Sequence, residues 1–272
     1  MRIADGSSIS RPGSGGTDFR LHATYEPALS RFTHLEITDS HGGEAFTRVP
    51  LQAGDIVVGD RAYARAPSLE KVIAAGADFI VRSGWRAMRI VTRDGHPIDW
   101  NAIYAPMQVG EIRELDVLVE HSGDPRKGRG KPLFQARLII KRKDAGAAER
   151  SLRAARQGHQ RRRRNQTMLP TTVAAAGFVM VLTSIPATDM TAQAILDLYR
   201  LRWQIEIAFK RLKSGLGIHK LPAKDPQLAR TWLTAHLILA LMIDEAVNDV
   251  LDSSPCGDST PESHRNFHVE VA

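Results

Sequence analysis

The segment from Tyr199 to Lys213 constrains the fold of this chain more than any other part of it. As an α-helix with about 100° of rotation per residue, it gathers its aliphatic side chains into one stripe, formed by Leu201, Ile205, Ala208 and Leu212. An apolar stripe of this kind has to be buried against a core. The pattern therefore predicts a single packed helix, which we expect to run from about Thr191 to Ser214.

A polar stripe lies beside the apolar one on the same predicted helix. Around its axis, the members of this stripe fall within roughly 60° of one another: Tyr199, Arg202, Glu206 and Lys213. One carboxylate is thus surrounded by two cations and a phenol. Such a set can bind a polyanion while the carboxylate supplies an oxygen ligand to a metal ion. The alternative is a surface helix with i,i+4 ion pairs, because Arg202 and Glu206 have that spacing.

Two shorter acidic motifs precede this helix. Asp5 ends a short predicted strand and is followed by glycine and two serines, and Asp60 follows the apolar run 56–59 and precedes Arg-Ala62-Tyr63. Together with the spacing Tyr-x2-Arg-x3-Glu-x6-Lys, these motifs resemble those of the DDE transposases of bacterial insertion sequences. The insertion-sequence-four group carries this set of motifs in this order.

The resemblance implies roles for the motif residues. Phosphodiester chemistry with two metal ions needs a few carboxylates, and the family's catalytic, metal-binding acids correspond to Asp5, Asp60 and Glu206. The cofactor implied is Mg²⁺, with Mn²⁺ as a substitute. The residues implied to hold the terminal phosphate of the transposon end are Tyr199, Arg202 and Lys213. Taken singly, each acid could instead be a turn or capping residue.

The charge of the chain is concentrated in one segment. The net charge is +7, and residues 150–164 contain seven arginines and no acid. A dense arginine block is typical of a phosphate-binding surface, and we expect DNA binding from Arg161, Arg162, Arg163 and Arg164. The alternative is a solvated run of charge.

Several classes of protein are disfavoured by composition. A single cysteine, Cys256, rules out a disulfide framework and suits a reducing compartment. The first residues lack the apolar stretch of a signal peptide, and the longest apolar run, 232–243, is too short for a membrane span. We expect a soluble protein of the bacterial cytoplasm, associated with the nucleoid. Trp85, Trp100 and Trp203 are expected to pack in the core. The alternative is that they stack on DNA bases, and the resemblance makes Trp100 the candidate for receiving a flipped base.

The order of predicted elements indicates an α/β fold. Strands are expected near 1–4, 19–25, 34–38, 55–60 and 78–82, with a helix at 68–75 before the last of them. The resemblance implies a ribonuclease-H-like mixed sheet flanked by helices. We divide the chain into a first part of the catalytic core (1–85), a β-rich and basic insertion (86–175), a second part of the core (176–251) and a flexible tail (252–272).

These observations predict a transposase that uses Mg²⁺ to cleave and transfer DNA strands in cut-and-paste transposition. Its partners would be double-stranded DNA at the transposon ends and at the target, with a homodimer in the DNA complex and no membrane. Because Asp5 is the fifth residue, the helical domain that precedes this strand in the family is expected to be missing, as in a truncated copy. The alternatives are an inactive DNA-binding remnant and a ribonuclease-H-like nuclease unrelated to transposition.

Overall fold

The structure is a computed structural model that describes residues 1–121, 131–162, 167–218, 221–252 and 269–271. Its contacts divide the chain into two units. The first unit comprises Met1–Glu44, Arg48–Pro50 and Leu201–Ala272. The second unit comprises Ala45–Thr47 and Leu51–Arg200.

Strands and helices both contribute to each unit. The described strands are β1 (Arg2–Ile9), β2 (Phe19–Glu26), β3 (Arg31–Asp39), β4 (Ile56–Gly59), β5 (Asp78–Ser83), β6 (Arg89–Thr92), β7 (Ile112–Glu120), β8 (Pro132–Arg142), β9 (Phe178–Thr183) and β10 (Val269–Val271). The described α-helices are α1 (Ala66–Ala74), α2 (Trp100–Tyr104), α3 (Ala145–Arg162), α4 (Pro170–Ala175), α5 (Ala192–Arg200), α6 (Trp203–Leu216) and α7 (Pro226–Asp252). None of these helices combines the length and the apolar character needed to cross a membrane.

In the first unit, β1, β2 and β3 form an antiparallel sheet, and β10 adds to β3 in parallel. Helix α6 packs on β1 and α7 packs on β3. The apolar core between them includes Ile3, Leu21, Leu35, Ile205 and Leu233, each at most 1% exposed. Alternation along the strands thus gives the sheet one face that the two helices cover.

The alternate residues of β2 and β3 in this sheet are polar but also buried. His22, Thr24, His34 and Glu36 are at most 7% exposed, and His22 lies directly opposite Glu36 in the β2–β3 register. Arg48 pairs with Glu36 at 2.5 Å, which compensates the buried carboxylate. The sheet therefore has an apolar face and a buried polar face.

The second unit has the strand order β4-β5-β9-β8-β7-β6, in which β4 and β5 are parallel and the remaining pairs are antiparallel. Its core includes the completely buried side chains of Val57, Phe79, Val81, Ile139 and Val181. Near-continuous runs of apolar residues, such as Phe79 to Val81 in β5, are typical of strands covered on both faces.

Most of the predicted elements are present, with small shifts at their ends, and the α/β class with mixed strand pairing flanked by helices is confirmed. The domain boundaries predicted at residues 85, 175 and 251 stay predictions. Within the segment expected to be a flexible tail, Val269–Val271 form β10, because the alternation Val-Glu-Val suits a strand that pairs with β3.

The prediction of one helix from Thr191 to Ser214 is wrong. The chain forms α5 and α6, separated by a turn at Leu201 and Arg202 in which Gln204 N–H donates to Leu201 O at 2.9 Å. This turn places Arg202 at the start of α6, where its guanidinium contacts two carboxylates of the first unit. Those tertiary contacts are a physical reason for the break, since no glycine or proline interrupts residues 191–214.

Candidate active site

Asp5 lies within β1, opposite Ala23 of β2, and not at the end of a strand as the sequence suggested. Its Oδ1 accepts a hydrogen bond from Gly6 N–H at 2.8 Å. A Cβ at Gly6 would lie 2.6 Å from Oε1 of Glu44, so a side chain at this position would require the Glu44 side chain to move. The Asp-Gly pair thus lies within a strand, at a position where the Glu44 side chain comes close to the backbone. From sequence alone, such a pair is usually interpreted as a turn.

Arg202 connects Asp5 with Glu206. One guanidinium nitrogen lies 3.6 Å from Oδ2 of Asp5, and the other hydrogen-bonds to Oε1 of Glu206. The Arg202 and Asp5 side chains are 20% and 16% exposed, whereas Glu206 is 56% exposed. The motif residues of β1 and α6 therefore form one polar cluster in the first unit.

Asp5 and Glu206 also line one open cavity of about 480 Å³ between β1 and α6. Its remaining lining residues are Gly6, Ser7, Phe209, Lys210, Lys213 and Ser214. Lys213, a predicted phosphate-binding residue, lies at the cavity wall, and burial lowers the pKa of its ammonium group. Lys210 lies outside the motif from which the site was predicted. It could have been found from its i,i+4 spacing to Glu206, which puts both on one side of the helix.

Asp60 is in the second unit, directly after β4. Its Oδ1 accepts a hydrogen bond from Ala62 N–H at 2.7 Å and so caps a short 3-10 helix at Arg61–Tyr63. Tyr63 is 2% exposed, and its ring lies 4.8 Å from that of Phe46. A Cβ at Gly59 would lie 2.8 Å from both rings. The packed Tyr63 thus fixes the turn that holds Asp60.

Tyr199 lies near the end of α5, also in the second unit, within a group of cations that the sequence did not reveal. Desolvation and the nearby Arg82 lower the pKa of Arg61, while Tyr199 and Asp60 act in the opposite direction. Burial, Arg82 and Arg61 lower the pKa of Lys143 to about 8. We call Arg61, Arg82 and Lys143 the cation cluster. Nε of Arg82 is buried and has no hydrogen-bond partner among the described residues.

The predicted arginine block is only partly described. Arg161 is exposed near the end of α3. Arg162 belongs to the same helix, but only its backbone is described, and Arg163 and Arg164 lie outside the described residues.

Three tryptophans were expected to pack in the core. Trp85 and Trp100 have cationic or aromatic neighbours, whereas Trp203 departs from that expectation. Trp100 stacks on Tyr104, and the guanidinium of Arg86 lies 5.3 Å from the ring centre of Trp85. Trp203 is 53% exposed at the start of α6, because the apolar stripe of that helix is formed by Ile205, Ala208 and Leu212 instead. The expectation that Trp203 packs in the core is wrong.

The geometry of β1 and α6 agrees with a family match along the chain. A family model described as "Transposase DDE domain" matches residues 2–243. The chain belongs to this family of DDE transposases. Its members are enzymes that act on DNA and cut it with the help of divalent metal ions, and the family's ribonuclease-H-like α/β fold accounts for the mixed strand pairing described above.

Curated relatives support the same assignment. The chain is 38% identical over 256 residues to the putative transposase InsL of insertion sequence element IS186A from Escherichia coli K12. It is 38% identical to the transposase of insertion sequence element IS421 from Escherichia coli, again over 256 residues. Each alignment covers 94% of this chain and 68% of the relative. The insertion-sequence-four resemblance is therefore confirmed.

More distant proteins are also similar. The transposase of insertion sequence element IS231E from Bacillus thuringiensis is 22% identical over 232 residues, which cover 76% of this chain and 46% of that protein. A solved structure, the piggyBac transposase synaptic complex with hairpin DNA, aligns with a TM-score of 0.40 and 6% identity. That alignment covers 94% of this chain and 54% of the other.

The carboxylates of the first unit fit the metal ions that the family requires. Asp5 and Glu206 offer oxygen ligands to the same cavity, and hard divalent cations prefer oxygen. Within the described residues, no three histidine, cysteine, aspartate or glutamate side chains are grouped closely enough to hold a metal ion. The first unit therefore offers two carboxylates, one on β1 and one on α6, at a single cavity.

Proposed function

We propose that this chain cleaves and transfers DNA strands at the ends of an insertion sequence, with Asp5, Asp60 and Glu206 as its catalytic carboxylates. The observation that supports this most strongly is the cavity between β1 and α6, which Asp5 and Glu206 line together. We include Asp60 in this set because of its motif and its place directly after β4, where it caps the turn at Arg61–Tyr63. Two acids held at one cavity are unfavourable unless cations balance them, and this chain provides Arg202 for that purpose.

The metal ion we propose is Mg²⁺, with Mn²⁺ as a substitute. When bound, such ions activate a nucleophilic oxygen and stabilise the leaving oxygen of a phosphodiester. Gly6 N–H orients the carboxylate of Asp5, and Arg202 holds the carboxylates of Asp5 and Glu206 toward each other. The chain thus pre-positions oxygen ligands on a strand and a helix, which are rigid supports.

Tyr199, Arg202 and Lys213 are proposed to hold the phosphate at the cleaved end. Arg and Lys suit phosphate oxygens, the former through its planar fork and the latter as a point charge. Lys213 lines the same cavity as the two acids. The hydroxyl of Tyr199 interacts electrostatically with Arg61 of the cation cluster, a surrounding that favours an anion. Arg161 to Arg164 are proposed to add contacts to phosphates of double-stranded DNA.

The DNA substrates, their cellular location and the oligomeric state belong to the same proposal. The substrates are proposed to be double-stranded transposon ends and target DNA in the nucleoid of a bacterial cytoplasm, with a homodimer as the form that joins two ends. The relatives, which are transposases of insertion sequence elements, support an insertion sequence as the mobile unit.

Glu206→Gln tests the catalytic assignment. It removes an anionic ligand while preserving size, so we expect Mg²⁺-dependent cleavage of a plasmid carrying the element's ends to fall at least about a thousandfold. DNA binding in a gel-shift assay should change less than about threefold, because no cation is lost. Glu245→Gln is the matched control, since Glu245 is an exposed acid of α7 in the same unit.

The same assay separates the alternatives. Unchanged cleavage by Glu206→Gln would remove Glu206 from the catalytic set. DNA binding without any metal-dependent cleavage by the unmodified chain would indicate a binding remnant. Cleavage without joining of the released ends to target DNA would indicate a nuclease that does not transpose.

A further inference from the structure

The exposed side chains of helix α3 form one strongly basic side of the helix. Its exposed side chains all lie on about half of the helix circumference, at 100° per residue. That side carries Arg150, Arg153, Arg156, Gln157, Gln160 and Arg161. Glu149 is the only acid on it and pairs with Arg153 at 2.9 Å. Four arginines and one glutamate leave this side with a charge of +3.

The helix gains little stability from packing. None of its side chains between residues 145 and 161 is fully buried. The contacts that fix its beginning are polar: Asp144 caps it through Ala147 N–H at 2.8 Å, and Lys143 Nζ donates to Ser151 Oγ at 2.7 Å. Gly146 and Gly158 each cost about 1 kcal/mol relative to alanine in a helix. Because helicity in water usually depends on tertiary burial, α3 is a helix that a binding partner would stabilise.

The chemistry of the exposed side selects a polyanion as that partner. Arginines spaced by three residues on one side of a helix repel one another, and phosphates would remove this repulsion. The exposed side has no large apolar residue, which disfavours insertion into a lipid surface. The chain's basic balance of +7 is concentrated in the same region.

Gln157 and Gln160 distinguish this surface from a plain phosphate-binding one. They are neutral, three residues apart and flanked on the same side by arginines. A carboxamide can donate to and accept from the edge of adenine in the major groove, whereas arginine serves phosphates well. A helix is also of the size that the major groove admits, and the 18 residues of α3 extend over about 27 Å.

We propose that the exposed side of α3 docks into the major groove of a DNA duplex. Arg150, Arg153, Arg156 and Arg161 contact phosphates, and Gln157 and Gln160 contact base edges. This inference rests on the proposed function, because DNA is the substrate there. It adds a sequence-reading element in the second unit, distinct from the carboxylates and the phosphate-holding residues assigned to cleavage.

The arginines are tested by salt dependence. The variant Arg150→Gln, Arg153→Gln, Arg156→Gln removes three phosphate contacts, so the slope of log affinity against log salt should fall by about 2.7, at roughly 0.9 per contact. The matched control replaces three exposed arginines of the same unit outside α3, namely Arg65, Arg86 and Arg93, by glutamine. An equal change of slope in both variants would overturn the docking proposal, because it would show a general effect of net charge.

The glutamines are tested by sequence preference. Duplexes selected from a randomised pool by the unmodified chain should share preferred bases, and Gln157→Ala with Gln160→Ala should reduce discrimination at one or two positions by about five- to hundredfold each. The salt slope should stay unchanged in that variant. Identical preferences of the unmodified chain and the variant would show that these side chains do not read bases.

The two binding experiments test the docking proposal independently of cleavage. Both measurements use binding to uncleaved duplex, so they can fail while Mg²⁺-dependent cleavage is intact, in which case only the docking proposal is lost. If binding behaves as expected and cleavage is absent, the catalytic proposal is lost instead. Circular dichroism of each variant confirms that the fold is retained before binding is compared.

Discussion

At the scale of single residues, the charge balance around Asp5 and Glu206 depends on Arg202. The guanidinium lies 3.6 Å from the Asp5 carboxylate and hydrogen-bonds to Glu206. Two carboxylates and one guanidinium leave the group with a charge of −1, and Lys213 at the cavity wall brings a second cation. The cations at this cavity, with Lys210 as a third, therefore offset the repulsion between the two carboxylates.

His22 is a residue whose protonation should control stability. Burial, Arg48, Arg20 and His34 lower its pKa to about 4 from the ordinary 6.5, and its Nε2 lies 3.0 Å from Oγ1 of Thr38. Between pH 6.5 and 4 the unfolded chain binds a proton that the folded chain does not. The free energy of unfolding should therefore fall by up to about 3 kcal/mol as the pH drops through this range.

Urea unfolding at pH 7, 6 and 5 measures this effect. We expect His22→Gln to lose part of the pH dependence of the unmodified chain, because glutamine does not titrate. His41→Gln is the matched control, since the His41 side chain is 92% exposed. A His22→Gln variant with the same pH dependence as the unmodified chain would show that another group controls stability in acid.

At the scale of elements, a buried arginine connects two strands with the loop before α5. Arg137 of β8 is 6% exposed, and it pairs with Glu114 of β7. Its Nη1 donates to the carbonyl oxygens of Ile185 and Met190 at 2.8 and 2.9 Å. These bonds hold both ends of the segment between β9 and α5, the helix that carries Tyr199.

Arg137→Met should be strongly destabilising. It leaves two carbonyl groups and a carboxylate without their donor, and we expect a loss of about 2–4 kcal/mol in urea unfolding at pH 7. Arg113→Met is the control, because Arg113 pairs with Glu111 near the surface at 35% exposure and should cost less than about 1 kcal/mol. Equal losses in the two variants would contradict the role given to the carbonyl contacts.

The elements also show what sequence patterns can predict. Strands β4 and β5 were predictable from their apolar runs, and so was the position of Asp60 directly after β4. The break between α5 and α6 does not, because it depends on the contacts of Arg202 with distant Asp5 and not on a local helix breaker. Likewise β1 continues through Asp5 and Gly6 because both residues pair with β2, opposite Ala23 and His22, whereas the Asp-Gly pair alone is typical of a turn.

Groups of side chains that only the tertiary structure brings together could also not be predicted from the sequence. The cation cluster draws Arg61, Arg82 and Lys143 from three separate parts of the chain, and no motif links them. The arginine block, in contrast, is local in sequence and was predictable as a basic segment. Its orientation as one exposed side of α3 became visible only from the exposure of each residue.

At the scale of the whole molecule, the metal requirement can be separated from catalysis. A ligand that binds only the folded chain raises the free energy of unfolding by RT ln(1 + [L]/Kd), about 1.4 kcal/mol at ten times the dissociation constant. For a chain of this size, that corresponds to a rise of about 3–6 °C in the midpoint of thermal unfolding. We expect Mg²⁺ or Mn²⁺ to produce such a rise if Asp5 and Glu206 are ligands.

Asp5→Asn and Glu206→Gln should abolish most of this rise, each measured against its own metal-free sample at matched ionic strength. Removing a carboxylate also alters the ion pairs of Arg202, so the metal-free midpoints of the variants will differ from that of the unmodified chain. The difference caused by the metal is therefore the informative quantity. Glu245→Gln should keep the full rise, because this exposed acid of α7 is not among the residues that line the cavity. An equal rise in the unmodified chain and in both site variants would place metal binding elsewhere, and the assignment of Asp5 and Glu206 as ligands would have to be given up.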